Sequence, residues 1–359
     1  MKRVLICPLD WGIGHATRCT PVIRKLMEIG VDVIIAASGR PLEFLKREFP
    51  SLQVIHFPGT KIFYPTQTGM AFFMLLRIPR ILWGFRKEHR ELTKIIREYH
   101  IEAVVSDNRY GCWNKDILSI FITHQLEIQL PKGIQFLAGI LRYINFWFIK
   151  KYHECWIPDF EQLHGLAGDL SHPVRLPDNC RYIGILSRFT RNLLGEESAI
   201  LPIYDVMVIL SGPEPQRAIL EEKIMSQLLR THIQAILVRG IPETTSMKLI
   251  DDHIQVYDHL ESTHLQKLMQ QSMLIISRSG YSSIMDLVTL GKRAILIPTP
   301  GQTEQEYLAS YLMHKKIFFS QKQDNFDLVY AIEMTRNYPG MVIENDYKDI
   351  EERIRYFFA

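Results

Sequence analysis

The segment Leu274–Tyr307, LIISRSGYSSIMDLVTLGKRAILIPTPGQTEQEY, decides the fold class. Leu274-Ile275-Ile276 is a short apolar run that reads as a buried strand. It stops at Ser277-Arg278-Ser279-Gly280, where small residues let the chain turn. From Tyr281 to Leu290 the apolar positions Ile284, Leu287 and Val288 share one helical face, and Gly291 stands just past the end. A second apolar strand, Ala294–Ile297, runs into Pro298-Thr299-Pro300-Gly301 and then Gln302, Glu304, Gln305 and Glu306. This is a strand–helix–strand unit with a loop at the carboxyl end of each strand, where open α/β sheets hold their ligands.

The first loop opens a helix with Ser279-Gly280, followed by hydroxyls at Ser282 and Ser283. Free backbone N–H groups and the positive end of a helix dipole suit a phosphate there. The second loop offers amides and carboxylates, which suit ribose or hexose hydroxyls. Diphosphate beside sugar describes a nucleotide sugar. Each loop alone also reads as an ordinary cap or a solvated helix start. Taken together, SRSG-x-SSIMDL, a glycine four residues on and IPTPG-x-x-EQEY resemble the carboxyl-terminal domain of glycosyltransferase family 28, which includes the N-acetylglucosaminyltransferase that completes lipid II.

The 359 residues fit two domains of ordinary size, and 47% hydrophobic content supplies both with cores. Charge is unevenly spread. Residues 1–190 hold 25 Lys+Arg against 17 Asp+Glu, a net of +8; residues 191–359 hold 17 against 22, a net of −5. A basic first half points to an anionic partner, a lipid surface or a phosphorylated substrate; nucleic acid is not expected as a partner. The five cysteines (Cys7, Cys19, Cys112, Cys155, Cys180) contain no CxxC pair, which argues against a disulfide framework or zinc site and for a reducing, cytoplasmic compartment. The start, MKRVLICPLDWGIGH, has too short an apolar run for a signal peptide and reads as the first core strand.

That strand, Val4–Pro8, leads through Asp10-Trp11-Gly12-Ile13-Gly14-His15 into a helix, Ala16–Gly30, and a second strand, Val31–Ala36. The turn lacks the third glycine of a dinucleotide fingerprint, and no acid ends the second strand, so a dehydrogenase is not indicated. His15, on a turn at a strand's carboxyl end, is either a polar helix start or a general base for an attacking hydroxyl. Asp10, Thr17 and Arg18 lie close enough to assist it, and Arg18 also suits an acceptor phosphate. The Gly12/Gly14 turn ending in His15 resembles that of the amino-terminal domain of the same glycosyltransferases.

Further polar groups follow strand Glu102–Ser106 (Asp107, Asn108, Arg109) and strand Ile117–Ile122 (Thr123, His124, Gln125). They fall on the same side of the sheet as His15 and are acceptor-site candidates, with Asp107 a helper or rival base. Two stretches, residues 69–90 and 134–151, mix aromatic and aliphatic residues with Arg and Lys, and neither reaches the ~20 uninterrupted apolar residues of a spanning helix. Each reads as a core helix or as a helix lying in a membrane interface.

Ser187–Ile203 reads as an interdomain linker, and strand Asp205–Leu210 opens the second domain, ending in Ser211-Gly212-Pro213-Glu214-Pro215. Pro213 and Pro215 remove two backbone donors from that turn. The expected domains are 1–186, 204–345 and a closing helix, 346–359, packing back on the first domain.

The resemblance implies a GT-B fold: α/β, with two Rossmann-like domains facing a cleft. It implies that Ser279-Gly280-Tyr281 and Ser211-Gly212 sit at a donor diphosphate, that Leu260 lies along the nucleobase, and that Asp286 binds ribose hydroxyls. Gln305 falls where the lipid II enzyme has a glutamine that contacts donor sugar hydroxyls; Glu306, also a donor-site candidate, stands where that enzyme has a second glutamine, so the sugar need not be N-acetylglucosamine. Gln302 is a donor-site candidate from the amide-rich second loop itself. No Asp-x-Asp motif is present. The expected activity is metal-independent, inverting transfer of a hexose or N-acetylhexosamine. The donor would be a UDP-sugar acting as co-substrate, with no other cofactor. The acceptor would be a lipid-linked hydroxyl at the inner face of the plasma membrane. A nucleotide-sugar epimerase and a non-catalytic sugar-nucleotide-binding protein share this architecture.

Overall fold

The computed structural model describes residues 2–59, 70–130, 133–162, 165–190, 202–241, 243–244, 246–343 and 347–358. Side chains of residues 70–78 lie outside the description, as do most of the expected linker (191–201), Gly69 and the expected boundary at 345/346.

The chain divides into two units: Met1–Leu186 with Asp346–Ala359, and Ser187–Asn345. The first is built on β1 (Arg3–Pro8), β2 (Asp32–Ala37), β3 (Gln53–His56), β4 (Ala103–Asp107), β5 (Leu118–Ile122), β6 (Glu154–Ile157) and β7 (Cys180–Tyr182). Its helices are α1 (Ile13–Glu28), α2 (Gly39–Glu48), α3 (Met70–Glu98) and α4 (Ala138–Ile149). The strands pair in parallel in the order β3-β2-β1-β4-β5-β6-β7. β1 and β4 are buried almost throughout, as continuous apolar runs covered by helices on both faces require.

The second unit repeats the scheme with β8 (Tyr204–Ile209), β9 (Ala235–Val238), β10 (Met247–Ile250), β11 (Ile254–Tyr257), β12 (Ser272–Ser277), β13 (Arg293–Leu296) and β14 (Phe319–Ser320). Helices α5 (Gln216–Leu228), α6 (Ser262–Gln270), α7 (Tyr281–Thr289), α8 (Thr303–His314) and α9 (Leu328–Met334) connect them. The order is β10-β11-β9-β8-β12-β13-β14, parallel except for the β10–β11 hairpin. β10 is absent from the sequence reading because it is an exposed edge, with Met247 and Leu249 half or more exposed, so it carries no burial signature. β12 begins two residues earlier than its apolar run, at Ser272, whose hydroxyl donates to Leu268 O.

In both sheets the chain starts at the centre, builds outward one way and then crosses to the other side. The switch points are β1/β4 and β8/β12, where the carboxyl ends of two neighbouring strands send their loops in opposite directions and leave a crevice. The final helix, α10 (Lys348–Phe358), belongs to the first unit. Ile350, Ile354 and Phe358 are its buried stripe, Glu351 pairs with Lys25 of α1 at 2.6 Å, and Arg353 pairs with Glu154 at 3.3 Å.

Candidate active site

In the first unit, Gly12 caps α1 with an extended backbone and no side-chain hydrogen bond, and a Cβ there would meet nothing within 4 Å. The helix end is therefore open. His15 and Arg18, three apart, share one helix face. Asp107 ends β4 directly beside Pro8 of β1, so the switch point brings it to that face. His15 Nδ1 lies 2.6 Å from Asp107 Oδ1. Arg18 donates to both oxygens of the same carboxylate, from Nε to Oδ2 and from NH2 to Oδ1, each at 2.6 Å. Its NH1 reaches His124 Nδ1, at the end of β5, at 3.0 Å. Burial pushes the Asp107 carboxyl up, but Arg18 and His15 outweigh it and hold it at about 2. Asp107 is a permanent carboxylate. A charged acid that already accepts three hydrogen bonds orients an imidazole and is a poor rival base.

Two expected acceptor contacts are corrected. Arg18 is 2% exposed and its guanidinium is spent on Asp107 and His124, so it cannot also hold an acceptor phosphate. Arg109 points inward: Nε and NH2 donate to Glu88, NH1 to Phe57 O, and the Phe57 ring lies 4.0 Å beneath it. Asn108 takes a left-handed backbone (φ 57°), and its Oδ1 accepts from Thr123, tying the β4 and β5 loops together. The Gln125 backbone is held by the Thr123 hydroxyl and by Asn145. Asp10 does not assist His15. It accepts from Ser38 and Gly59, latching three strand-end loops.

In the second unit the loops of the opening segment close on one another. Gln305 accepts from Thr299 N at 2.8 Å and donates to Gln302 Oε1 at 2.6 Å. Ser279 donates to Gln305 O, and Glu306 accepts from Gly301 N. Gly212, at φ 103°, sits against this loop, with the Thr299 hydroxyl 3.6 Å from where a Cβ would be. Ser211, Gly212, Ser279, Gly280 and Gln302 are thus placed on the loops that follow β8, β12 and β13, and Gln305 and Glu306 in the first turn of α8 behind the last of these loops.

The remaining donor candidates fall elsewhere. Leu260 and Tyr281 bury their side chains, leaving only backbone to face a ligand. Asp286 is buried and already accepts from Ser187 (2.6 Å) and Arg188 (3.3 Å). Burial raises its carboxyl, and these two partners only partly offset that.

Two residues at this site had no role in the sequence reading. Thr299 is 2% exposed and its hydroxyl has no partner. Arg278 is 1% exposed and donates only to neutral acceptors: Ile297 O, Pro298 O, Gln216 O and Gln323 Oε1. Its Nε is unpartnered, and burial lowers the guanidinium to about 10. A buried cation without a carboxylate is costly, and an arriving anion relieves that cost. The helix ends agree. α7 starts at Gly280 with no side-chain cap and open space at its Cβ position, whereas α5 already carries Glu214, which accepts from Ala218 N at 3.2 Å. An anion is accommodated at α7 and opposed at α5.

Residues 216–333 match the glycosyltransferase family 28 C-terminal domain, and residues 3–119 match glycosyl transferase family 1. The chain is a GT-B glycosyltransferase. Over its whole length this glycosyltransferase resembles MurG of Acinetobacter baumannii, with a TM-score of 0.56 at 13% identity, covering 99% of this chain and 100% of that one. It is 21% identical to an uncharacterized glycosyltransferase of Methanosarcina acetivorans, over 85% of this chain and 81% of the relative. It is also 21% identical to the UDP-N-acetylglucosamine--N-acetylmuramyl-(pentapeptide) pyrophosphoryl-undecaprenol N-acetylglucosamine transferase of Listeria welshimeri, over 81% of this chain and 77% of that one.

Proposed function

We propose that this glycosyltransferase moves a hexose or N-acetylhexosamine from a UDP-linked donor, held by the second unit, to a hydroxyl of a lipid-linked acceptor held by the first. The observation that carries the reading is the 2.6 Å contact between His15 Nδ1 and the Asp107 carboxylate. A proton must lie between those atoms, so it is His15 Nε2 that offers a lone pair. The acceptor O–H gives its proton to Nε2, its oxygen bonds to the anomeric carbon, and the bond from that carbon to the diphosphate breaks with inversion. Charge then develops on the diphosphate. The uncapped end of α7 and the Thr299 hydroxyl are preorganised to meet it, and the buried Arg278 charge acts on it through its field without touching it, so no metal ion is needed for this step.

The UDP assignment is supported by the UDP-N-acetylglucosamine that the name of the Listeria relative gives as its donor. The acceptor class is supported by the surface of the first unit. Phe136, Ile140, Tyr143 and Trp147, spaced 4, 3 and 4 along α4 and the turn before it, are 79, 58, 73 and 51% exposed. The opposite face of α4 buries Asn145, Phe148 and Ile149. α4 is therefore apolar on its solvent side as well as its core side. Lys151 lies over the rings of Trp113 and Trp147, and Arg142 and Lys150 are exposed beside them. On α3, Trp83 (65% exposed) and Leu82 stand among exposed Arg80, Arg86 and Lys87. Aromatic ridges edged by cations suit an anionic membrane interface, and among the described residues no helix is long and apolar enough to cross a membrane. We place the enzyme at the inner face of the plasma membrane.

The test is release of UDP from UDP-sugars, with and without polyprenyl-linked and glycerolipid acceptors, in the presence of EDTA. Acceptor-dependent release that falls at least ~100-fold in His15→Ala supports the reading. Conversion of the donor sugar without any acceptor would identify an epimerase instead.

A further inference from the structure

Arg18 is the least expected member of the first site: a buried guanidinium on the helix that carries the base, touching two histidines and one carboxylate. Arginine has five N–H donors and no lone pair, so every group it contacts must accept or share an acceptor. Resting on the reading of His15 as base, we propose that Arg18 is a positioning residue that decides which nitrogen of each imidazole carries its proton: Nδ1 on His15 and Nε2 on His124.

Arg18 grips Asp107 through both oxygens, which fixes the plane of the carboxylate with Oδ1 toward His15. Oδ1, 2.6 Å from His15 Nδ1, has only lone pairs, so Nδ1 is the donor and Nε2 is left as base. The 3.0 Å approach of Arg18 NH2 to the same Nδ1 follows from both donors sharing Oδ1. At His124 the polarity is opposite. Its Nδ1 faces Arg18 NH1 at 3.0 Å, so that nitrogen must present a lone pair, and the ring proton sits on Nε2. One guanidinium thereby excludes the tautomer in which His15 Nε2 is protonated and inert, and places a neutral N–H donor on the adjacent β5 loop. Lysine cannot replace it, because a point charge reaches Asp107 or His124 but has no fixed fork for both.

The experiment that needs no substrate is a long-range 1H–15N correlation spectrum of the full chain labelled with 15N-histidine, assigned with His15→Gln and His124→Gln. Expected at neutral pH are an Nδ1–H pattern for His15 and an Nε2–H pattern for His124. In Arg18→Lys the His15 pattern persists and the His124 pattern becomes mixed, and in Arg18→Gln both become mixed. An Nδ1–H pattern for His124 in the wild-type chain, or no change in either variant with the circular dichroism unaltered, overturns the proposal. If transfer activity is in hand, kcat falls about 100-fold in Arg18→Gln, where the His15 tautomer is no longer fixed, at unchanged KM for both substrates, as expected of a residue 2% exposed that meets neither. A raised acceptor KM at unchanged kcat would mean that Arg18 binds the acceptor, and also overturns it. The spectrum reads Arg18 whether or not any sugar is transferred, so it fails separately from the proposed function.

Discussion

Asp107 and Thr299 show how single side chains at the two sites trade stability against readiness. Asp107 is held near 2, below the ~3.9 of an unfolded aspartate, so the stabilisation it supplies is fully present above about pH 4 and is lost as the pH falls through 2. Denaturant unfolding of wild type between pH 2 and 5 should show this loss; Asp107→Asn should flatten the slope and, by stranding the Arg18 charge, cost about 3 kcal/mol at pH 7. Thr299 behaves in the opposite way. Its buried hydroxyl stabilises nothing in the free protein, so Thr299→Val should leave thermal stability unchanged or raised, while calorimetric affinity for UDP drops about tenfold. Equal UDP affinity in the two proteins would remove the hydroxyl from the anion site.

At the scale of elements, three helices do different work because their ends and faces differ. α7 leaves its amino end open for an anion, α5 fills its own with Glu214, and α4 keeps an apolar stripe in solvent. Since Ile140 and Tyr143 are mostly exposed, Ile140→Glu with Tyr143→Glu should change the urea midpoint little. Flotation with vesicles rich in anionic lipid should be lost, while wild-type binding should weaken with added salt. Undiminished flotation of the double variant would exclude α4 as the membrane face.

For the whole molecule, the last helix returns to the unit that the first strand opened. Ile354 is 1% exposed in that contact, so Ile354→Ala should destabilise by about 3 kcal/mol, read by denaturant unfolding; a loss below 1 kcal/mol would mean that α10 is only loosely applied. The α/β class and the strand–helix–strand segment around Gly280 were legible in the sequence because buried parallel strands must be continuous apolar runs and their loops must turn on small residues. His15 was legible as a base candidate because it follows two glycines at a strand end. The sequence also named Asp107, Arg18 and His124, but it left Asp107 open between helper and rival base, and Arg18 open between assisting His15 and holding an acceptor phosphate. Those roles depend on which strand lies beside which, and parallel neighbours are set by crossovers tens of residues long. Composition alone likewise left α4 open between core and membrane surface, since a helix apolar on both faces has no periodicity to read. What the sequence determined was the chemistry at each strand end. Which of those groups touch, which are already satisfied and which wait for a partner was decided by the sheet order, because only packing brings residues 15, 18, 107 and 124 within hydrogen-bonding distance.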